Sequence, residues 1–113
     1  MAVAYDEALA DRIRVLLATD HDVVEKKMFG GLAFLIGGNM SVSASGQGGL
    51  LLRCDPDETD SLVKDRHASR FEMRGRAMDG WLRVESEGVE SDTALRRWVS
   101  VGVGYARSLP PKR

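Results

Sequence analysis

Two glycine-rich turns divide the middle of the chain into three short apolar segments, and this pattern constrains the fold more than any other feature of the sequence. Each segment has the length of a β-strand, and the three segments are 28–36, 40–45 and 50–54. The turns between them read Gly37-Gly38-Asn39 and Gly46-Gln47-Gly48-Gly49. Glycine and asparagine accept the positive φ angles that tight hairpin turns require. The sequence therefore predicts a three-stranded antiparallel meander.

The predicted strands differ in which of their faces are apolar. In 28–36 both sets of alternating residues are apolar, which predicts a central strand covered on both sides. Gly30 and Gly31, within that strand, are expected to mark a bulge or a close approach of the backbone. In the next strand three serines alternate with apolar residues, so we expect its serine face to contact water or a polar partner. These serines are Ser41, Ser43 and Ser45.

Apolar residues at helical spacing predict one helix at each end of the chain. The first helix buries Tyr5, Leu9, Ile13, Leu16 and Leu17. The last helix begins at Ser91-Asp92 and buries Leu95, Trp98, Val99, Gly102 and Ala106. Between them, the segment 55–58 supplies a capping aspartate, a proline and acidic residues in the order that starts a short helix. Pro110-Pro111 ends the last helix, and we expect 109–113 to be a flexible tail.

Two further strands, 70–73 and 81–84, are predicted on either side of a turn over 75–80. The order of elements is then α-β(3)-α-β(2)-α. This order indicates an α+β fold of two layers, in which helices pack on one antiparallel sheet. A length of 113 residues suits one domain, so we assign 1–113 to a single domain.

Charge balance and cysteine content narrow the class of protein. The net charge is −1, so any binding to nucleic acid or anionic lipid would need a local patch. The single cysteine, Cys54, cannot form an internal disulfide, which fits a reducing compartment. The N-terminus lacks the basic and apolar regions of a signal peptide, and no apolar run approaches the length of a membrane span. We therefore expect a cytoplasmic protein without membrane contact.

Several segments together carry a family resemblance. They are EKKMFGGLAF at 25–34, GNM at 38–40, LLR at 51–53, GW at 80–81 and ARSLPPK at 106–112, with Phe71, Gly75 and Met78 between them. From Tyr5 to Lys112 this pattern resembles the N-terminal domain of the TfoX/Sxy family, the regulators of bacterial competence. The lysine-methionine-phenylalanine-glycine-glycine segment followed by a hydrophobic hairpin is its most specific part.

The resemblance implies a two-layer α-β(3)-α-β(2)-α fold similar to secretion-chaperone-like domains, and with it the ability to form a homodimer. It also implies a non-enzymatic regulatory module that binds a protein partner, with no catalytic residue, cofactor or metal ion. The family's regulators act with the transcription machinery, which is therefore the implied partner. Full-length regulators carry a second, helical domain, whereas this sequence ends at Arg113, so we expect a stand-alone N-terminal domain.

Lys26, Lys27 and Arg53 are the first candidate interaction residues. The lysines precede one buried strand and Arg53 ends another, so the three could meet at one edge of the meander. There they would bind an anion or an acidic partner. The alternative, which the sequence alone favours, is that they are edge charges that prevent sheets from pairing with one another.

Arg70, Arg74 and Arg76 are the second candidate set, and with Arg66 and His67 they make a locally basic stretch. Such a stretch could contact phosphates even on a protein without net positive charge. Only one aromatic side chain lies within it, so a platform on which bases could stack is missing. We favour a solvated loop here and keep a nucleic-acid-associated factor as the alternative to a protein-binding module.

The remaining polar groups indicate no enzyme. The segment Asp20-His21-Asp22 offers metal ligands, but adjacent residues rarely converge on one ion. Cys54 is interpreted as a small core residue rather than a nucleophile. Trp81 and Trp98 are expected in the core, and either would become a candidate interface residue if it were exposed. A third hypothesis, a small-ligand-binding domain, requires a closed apolar pocket with a few polar groups.

Overall fold

The computed structural model describes residues 5–28 and 30–112. In this range the helices are α1 (Glu7–Leu16), α2 (Thr59–Leu62) and α3 (Asp92–Ser108). The strands are β1 (Val23–Met28), β2 (Gly31–Ile36), β3 (Asn39–Ala44), β4 (Leu50–Arg53), β5 (Ala68–Met73) and β6 (Arg76–Val84). Short 3₁₀ turns over Pro56–Glu58 and Ser86–Val89 precede α2 and α3.

The strands of the described chain form one antiparallel sheet in the order β1-β2-β3-β4-β6-β5. Strands that follow one another in the chain pair as hairpins, except that β4 pairs with β6 and leaves β5 at the far edge. Together with the helices this sheet makes an α+β fold, and the predicted fold class is confirmed. The first run of strands has four members rather than three, so the order of elements is α-β(4)-α-β(2)-α.

The additional strand is β1, and it corrects the single strand predicted over 28–36. The chain reverses direction between Met28 and Gly31, and Gly30 has a φ of +74°, which glycine adopts without strain. β1 then pairs with β2 along its whole length. Gly30 therefore belongs to a hairpin turn rather than to a bulge. Gly31 begins β2, and a Cβ atom there would overlap the carbonyl oxygen of Ala44, so the expected close backbone approach is found at Gly31. β2 itself is buried on both faces, as predicted for the central strand.

The turn predicted over 75–80 is shorter than expected. The chain turns at Arg74 and Gly75, whose φ angles are +55° and +77°. Two consecutive positive φ angles are the pattern of a type I′ hairpin, the turn that matches the twist of its flanking strands. β6 therefore begins at Arg76, five residues before the predicted start at Trp81.

All three helices contribute to one core on one face of the sheet. This core contains Leu9, Ile13, Leu95, Trp98 and Val99 from the helices, and Phe34, Val42, Leu50, Leu52, Leu82 and Val84 from the strands. The buried stripe predicted for the last helix is confirmed residue by residue in α3. No helix in the ranges 5–28 and 30–112 is long and apolar enough to cross a membrane.

Gly102 fixes how closely α3 approaches the sheet. A Cβ atom at this position would lie 2.5 Å from the carbonyl oxygen of Ser41 and 2.7 Å from Cγ1 of Val42. Both neighbours belong to β3 and are fully buried. The helix and the strand are therefore too close for any side chain between them, which explains a glycine inside a helix.

The serine face of β3 is buried, and the expectation of a wet face is wrong. Ser41 and Ser43 are almost completely inaccessible, because β3 lies inside the sheet with both faces covered. The Ser41 hydroxyl donates to the carbonyl oxygen of Phe34 at 2.7 Å, and the Ser43 hydroxyl lies 3.4 Å from the carbonyl oxygen of Ala44. Backbone acceptors thus satisfy these hydroxyls without water or a polar partner.

Residues 109–112 lie against the β2–β3 turn. The backbone N–H of Lys112 donates to the carbonyl of Gly37 at 2.6 Å, and the Asn39 side chain donates to the carbonyl of Pro110 at 3.0 Å. The flexibility expected for 109–113 stays a prediction. Arg113, the last residue of that segment, lies outside the described residues.

Candidate functional site

The face of the sheet opposite the helices carries its own apolar cluster. Side chains alternate along a strand, so Leu50 and Leu52 point to the helices while Leu51 points the other way. The cluster has a buried floor of Ala33, Met40 and Leu51, against which Met28, Leu35, Phe71 and Trp81 pack half-buried. None of its described members comes from a helix. We call this surface the helix-free face.

A row of residues crosses the helix-free face at right angles to the strands. By register, Lys26 pairs with Ala33, Ala33 with Ser43, Ser43 with Leu51, and Leu51 with Arg83. Small or apolar residues thus separate the two cations, and beyond Arg83 the row ends at Ser69 of β5. Four strand spacings of about 4.8 Å separate the two cations, or roughly 19 Å.

Arg53 lies on this face at the end of β4, close to two aromatic rings. Its guanidinium carbon is 4.9 Å from the ring centre of Trp81 and 5.3 Å from that of Tyr105. Arg53 is opposite Trp81 in the β4–β6 pairing, whereas Tyr105 reaches it from α3. Distances below about 6 Å allow an attraction between the cation and each ring face. The stack therefore holds a planar guanidinium in one orientation.

Local hydrogen bonds keep β4 and β6 together at this stack. The backbone N–H of Cys54 donates to the carbonyl of Gly80 at 2.9 Å, and the N–H of Gly80 donates to the Thr59 hydroxyl at 2.8 Å. Asp55 begins the next 3₁₀ turn by accepting a hydrogen bond from the N–H of Asp57 at 2.9 Å. The sequence that follows Arg53 thus turns the chain away sharply and anchors it to β6.

The cations of the helix-free face form no ion pairs with described residues, whereas many arginines elsewhere on the molecule are paired with carboxylates. Five arginines outside this face form ion pairs: Arg12 with Asp92, Arg14 with Asp11 and Glu25, Arg70 with Asp60 and Asp79, Arg97 with Asp65, and Arg107 with Asp20 and Asp22. Lys26, Arg53 and Arg83 have no carboxylate within 4.0 Å in the described chain. Arg83 hydrogen-bonds only to neutral groups of Ser45 and Gln47.

The structure separates the first set of candidate residues. Lys26 and Lys27 are adjacent in an edge strand and point to opposite faces, since Lys26 pairs with Ala33 and Lys27 with Leu32. Two strands lie between β1 and β4, so three spacings, or roughly 14 Å, separate the lysines from Arg53 across the sheet. The predicted meeting of Lys26, Lys27 and Arg53 at one edge is therefore wrong. Of the two lysines, only Lys26 points to the helix-free face.

The second set of candidate residues contains one paired arginine and two exposed, unpaired ones. Arg70 is neutralised by Asp60 and by Asp79, whose carboxylate oxygen is 2.7 Å from its Nε. These hydrogen bonds, first to Asp79 and then to Asp60, raise the pKa of Arg70. Arg74 and Arg76 are exposed around the β5–β6 turn, and neither has a carboxylate partner in the part of the chain that the structure describes.

The remaining side chains that could act as a nucleophile or a metal ligand have structural roles instead. Cys54 is fully buried, and burial raises the pKa of its thiol, which disfavours the nucleophilic thiolate. Asp20 and Asp22 both bind Arg107, whose hydrogen bond lowers the pKa of Asp22. Within 5–28 and 30–112 no group of three or more His, Cys, Asp or Glu side chains could hold a metal ion.

Three residues of the site were missed or misplaced by the sequence reasoning. Trp81 was expected in the core and is half-buried on the helix-free face, whereas Trp98 is 1% exposed as expected. Arg83 could have been found, because it alternates with the buried Leu82 and Val84 and must point away from the helices. Tyr105 is placed by the packing of α3, and its sequence neighbours carry no indication of a partner in β4.

The architecture defines a class of α+β domain in which helices cover one side of an antiparallel sheet and the other side carries apolar residues with unpaired cations. The chain belongs to the TfoX N-terminal domain family, whose sequence profile matches residues 15–106. The family resemblance recognised in the sequence is thereby confirmed. No significant match to the chain was found among curated proteins or among solved structures.

Proposed function

We propose that this protein is a non-enzymatic regulatory module that binds another protein through its helix-free face. The observation that carries this proposal is the combination, on one face, of half-buried apolar side chains with three cations that no carboxylate of the described chain neutralises. Burying apolar surface is the dominant favourable contribution to most protein associations. The cations would orient the partner and exclude basic competitors.

The composition of the face supports this role. Trp81 and Phe71 are half-buried and pack against the same floor, and Arg53 stacks on Trp81. Tryptophan and arginine are enriched among the few residues that dominate binding energies at protein interfaces. In keeping with the family resemblance, we propose the transcription machinery as the first partner to test and the cytoplasm as the place of action.

The non-enzymatic part of the proposal is supported by the state of the nucleophilic groups. The Cys54 thiol is buried with a raised pKa, and the Ser41 hydroxyl donates to a backbone carbonyl deep in the sheet. Neither group can reach a substrate. An acyl-transfer site needs an accessible nucleophile within hydrogen-bond distance of a base.

Affinity capture with face-specific variants tests the proposed function. The tagged wild type, a Lys26→Glu/Arg83→Glu variant and an Arg96→Glu control would be used to capture proteins from native cells, with and without nuclease. Arg96 is an exposed arginine of α3, on the side away from the helix-free face. We expect a defined protein with the wild type and the control that is lost with the double variant. A partner that the double variant retains, or that nuclease removes, would contradict the proposal.

A second candidate function is nucleic-acid binding at the β5–β6 turn. Arg74 and Arg76 are exposed without carboxylate partners in the described chain, and with Met73 and Met78 they line an open groove of about 430 Å³. Binding of labelled single-stranded and duplex oligonucleotides should then weaken steeply with salt and fall in an Arg74→Ala/Arg76→Ala variant. Absence of binding at low salt would exclude this function. A small-ligand-binding role stays a prediction.

A further inference from the structure

The helix-free face contains one cation in an unusual state. Arg53 is half-buried, its Nε is fully buried without a hydrogen-bond partner, and its terminal nitrogens make no hydrogen bond to any described residue. Exposed cations such as Arg96 also lack carboxylates, but water solvates them. A half-buried guanidinium has lost part of that solvation, and the buried Nε cannot be reached by a ligand, but the two terminal nitrogens can gain an acceptor that a ligand supplies.

The stack on Trp81 and Tyr105 prepares this guanidinium for a carboxylate. The guanidinium carbon lies over both rings, and the terminal nitrogens make no hydrogen bond to a described residue, so they can still donate to a ligand. A carboxylate binds the edge of a guanidinium through two parallel hydrogen bonds, and such pairs are about twice as strong as neutral ones. Because the rings hold the orientation in advance, less side-chain entropy is lost when the ligand binds.

We propose that Arg53 is the receptor for a carboxylate side chain of an acidic, apolar segment of a partner protein, which lies across the helix-free face. The inference rests on the proposed function and names the chemistry of the partner. Trp81 connects the two parts of the site, since it stacks on Arg53 and packs in the apolar cluster. A carboxylate on Arg53 therefore brings the neighbouring side chains of the ligand against Trp81 and Phe71.

The surrounding charges fix the direction of approach. Asp55 and Glu58 line a groove on α3 with Tyr105 and would repel a carboxylate there. Lys26 and Arg83 stand roughly 19 Å apart on the helix-free face and attract one. The ligand segment accordingly runs from Arg53 over Trp81 toward the cation row. The apolar floor between the cations favours leucine and phenylalanine in the ligand over the sugars and phosphates of a nucleic acid.

A model peptide tests this inference directly. The probe is a fluorescein-labelled peptide of leucine, phenylalanine and glutamate, about 14 residues long, which as a helix at 1.5 Å per residue spans the roughly 19 Å between Lys26 and Arg83. A matched peptide with glutamine in place of glutamate is its control. Fluorescence polarisation would compare the wild type with Arg53→Met, which keeps an apolar stem, Arg53→Lys, which keeps the charge, and Arg96→Met. Circular dichroism would verify the fold of each variant.

We expect Arg53→Met to weaken binding of the glutamate peptide about tenfold or more, Arg53→Lys to weaken it less, and Arg96→Met to leave it unchanged. The glutamine peptide should bind the wild type no more tightly than the glutamate peptide binds Arg53→Met, because it also lacks the charges that Lys26 and Arg83 attract. Equal binding of the glutamate peptide to wild type and Arg53→Met, or no binding to the wild type, would overturn the inference. So would Arg53-dependent binding of a labelled oligonucleotide in its place.

Two further outcomes separate this inference from the proposed function. If the partner from affinity capture survives Arg53→Met but is lost with Lys26→Glu/Arg83→Glu, the helix-free face binds a protein and Arg53 is not its carboxylate receptor. If sedimentation equilibrium shows a dimer that Arg53→Met dissociates, the occupant is a second copy of this chain, and the separate partner is refuted. Capture of no protein by the wild type would refute the proposed function itself.

Discussion

Replacing Gly102 by alanine should destabilise the protein, although alanine is the better helix former. The added Cβ would lie 2.5 Å from the Ser41 carbonyl oxygen and 2.7 Å from Cγ1 of Val42, roughly 1 Å inside the ~3.5 Å contact distance of nonbonded atoms. Relieving this overlap requires α3 to move away from a strand that is buried on both faces. Overpacking of this kind costs about 1–3 kcal/mol. The helix propensity of alanine returns up to about 1 kcal/mol.

The net expectation for Gly102→Ala is therefore a loss of about 1–2 kcal/mol in the free energy of unfolding. For a domain of this size the melting temperature should fall by roughly 5–10 °C. Urea unfolding followed by circular dichroism at 222 nm measures the first quantity, and a thermal melt measures the second.

Gly104 supplies a matched control two residues further along α3. A Cβ atom there meets nothing within 4 Å, so Gly104→Ala should gain up to about 1 kcal/mol from helix propensity alone. Nothing in the structure explains a glycine at this exposed position. If both variants were stabilised to the same extent, close contact between α3 and β3 would not be the reason for Gly102, and the packing described for that helix would be refuted.

Three other substitutions and treatments follow from the same structure. Arg53→Met should change the free energy of unfolding, measured by urea titration, by no more than about 1 kcal/mol. Removing a buried, unpartnered Nε gains about 1–3 kcal/mol, which offsets the loss of two ring contacts of about 0.5–1 kcal/mol each. A larger destabilisation would show that the guanidinium stabilises the fold. The Cys54 thiol should react with dithionitrobenzoate only after denaturation, as monitored by absorbance, and fast labelling of the native protein would contradict its burial. The hydrogen bond from Arg14 holds the pKa of Glu25 below its ordinary value of 4.5, so this pair stabilises the fold above that pH, and its contribution disappears as pH falls through the lower folded-state pKa. Glu25→Gln should thus cost about 0.5 kcal/mol at pH 7 and nothing at pH 2, since the pair is solvent-screened; an equal cost at both pH values would show that charge is not involved.

The helical elements were predictable from the sequence because their environment is one-sided. In α3 the buried residues recur at helical spacing, and Ser91 caps the helix through its hydroxyl, which accepts a hydrogen bond from the N–H of Ala94. These are local patterns that a sequence displays directly. β1 displays no such pattern: it is an edge strand whose four central residues are all exposed, with Val24 at 60%. An exposed edge imposes no alternation, so the sequence around Lys26 gave no sign of a strand.

The candidate site was predictable only in part, for a similar reason. Lys26 and Arg53 were recognised as cations at strand ends, but their separation depends on how many strands lie between them. The stack of Arg53 on Trp81 and Tyr105 joins residues that are 28 and 52 positions from Arg53, and only the tertiary fold brings them together. Likewise, Arg70 looked available in the sequence until Asp60 and Asp79 were found beside it.

Because the helices cover one side of the sheet, neighbouring residues of a strand are under different selective pressures. In β4, Leu50 and Leu52 must remain compatible with the core that they share with α1 and α3. Leu51, between them, points to the helix-free face, which we propose binds a partner. Relatives that have changed partners should therefore diverge with a period of two along β4, varying at position 51 and its row while keeping positions 50 and 52. A change of partner would then be visible among relatives as substitutions at every second residue of a strand.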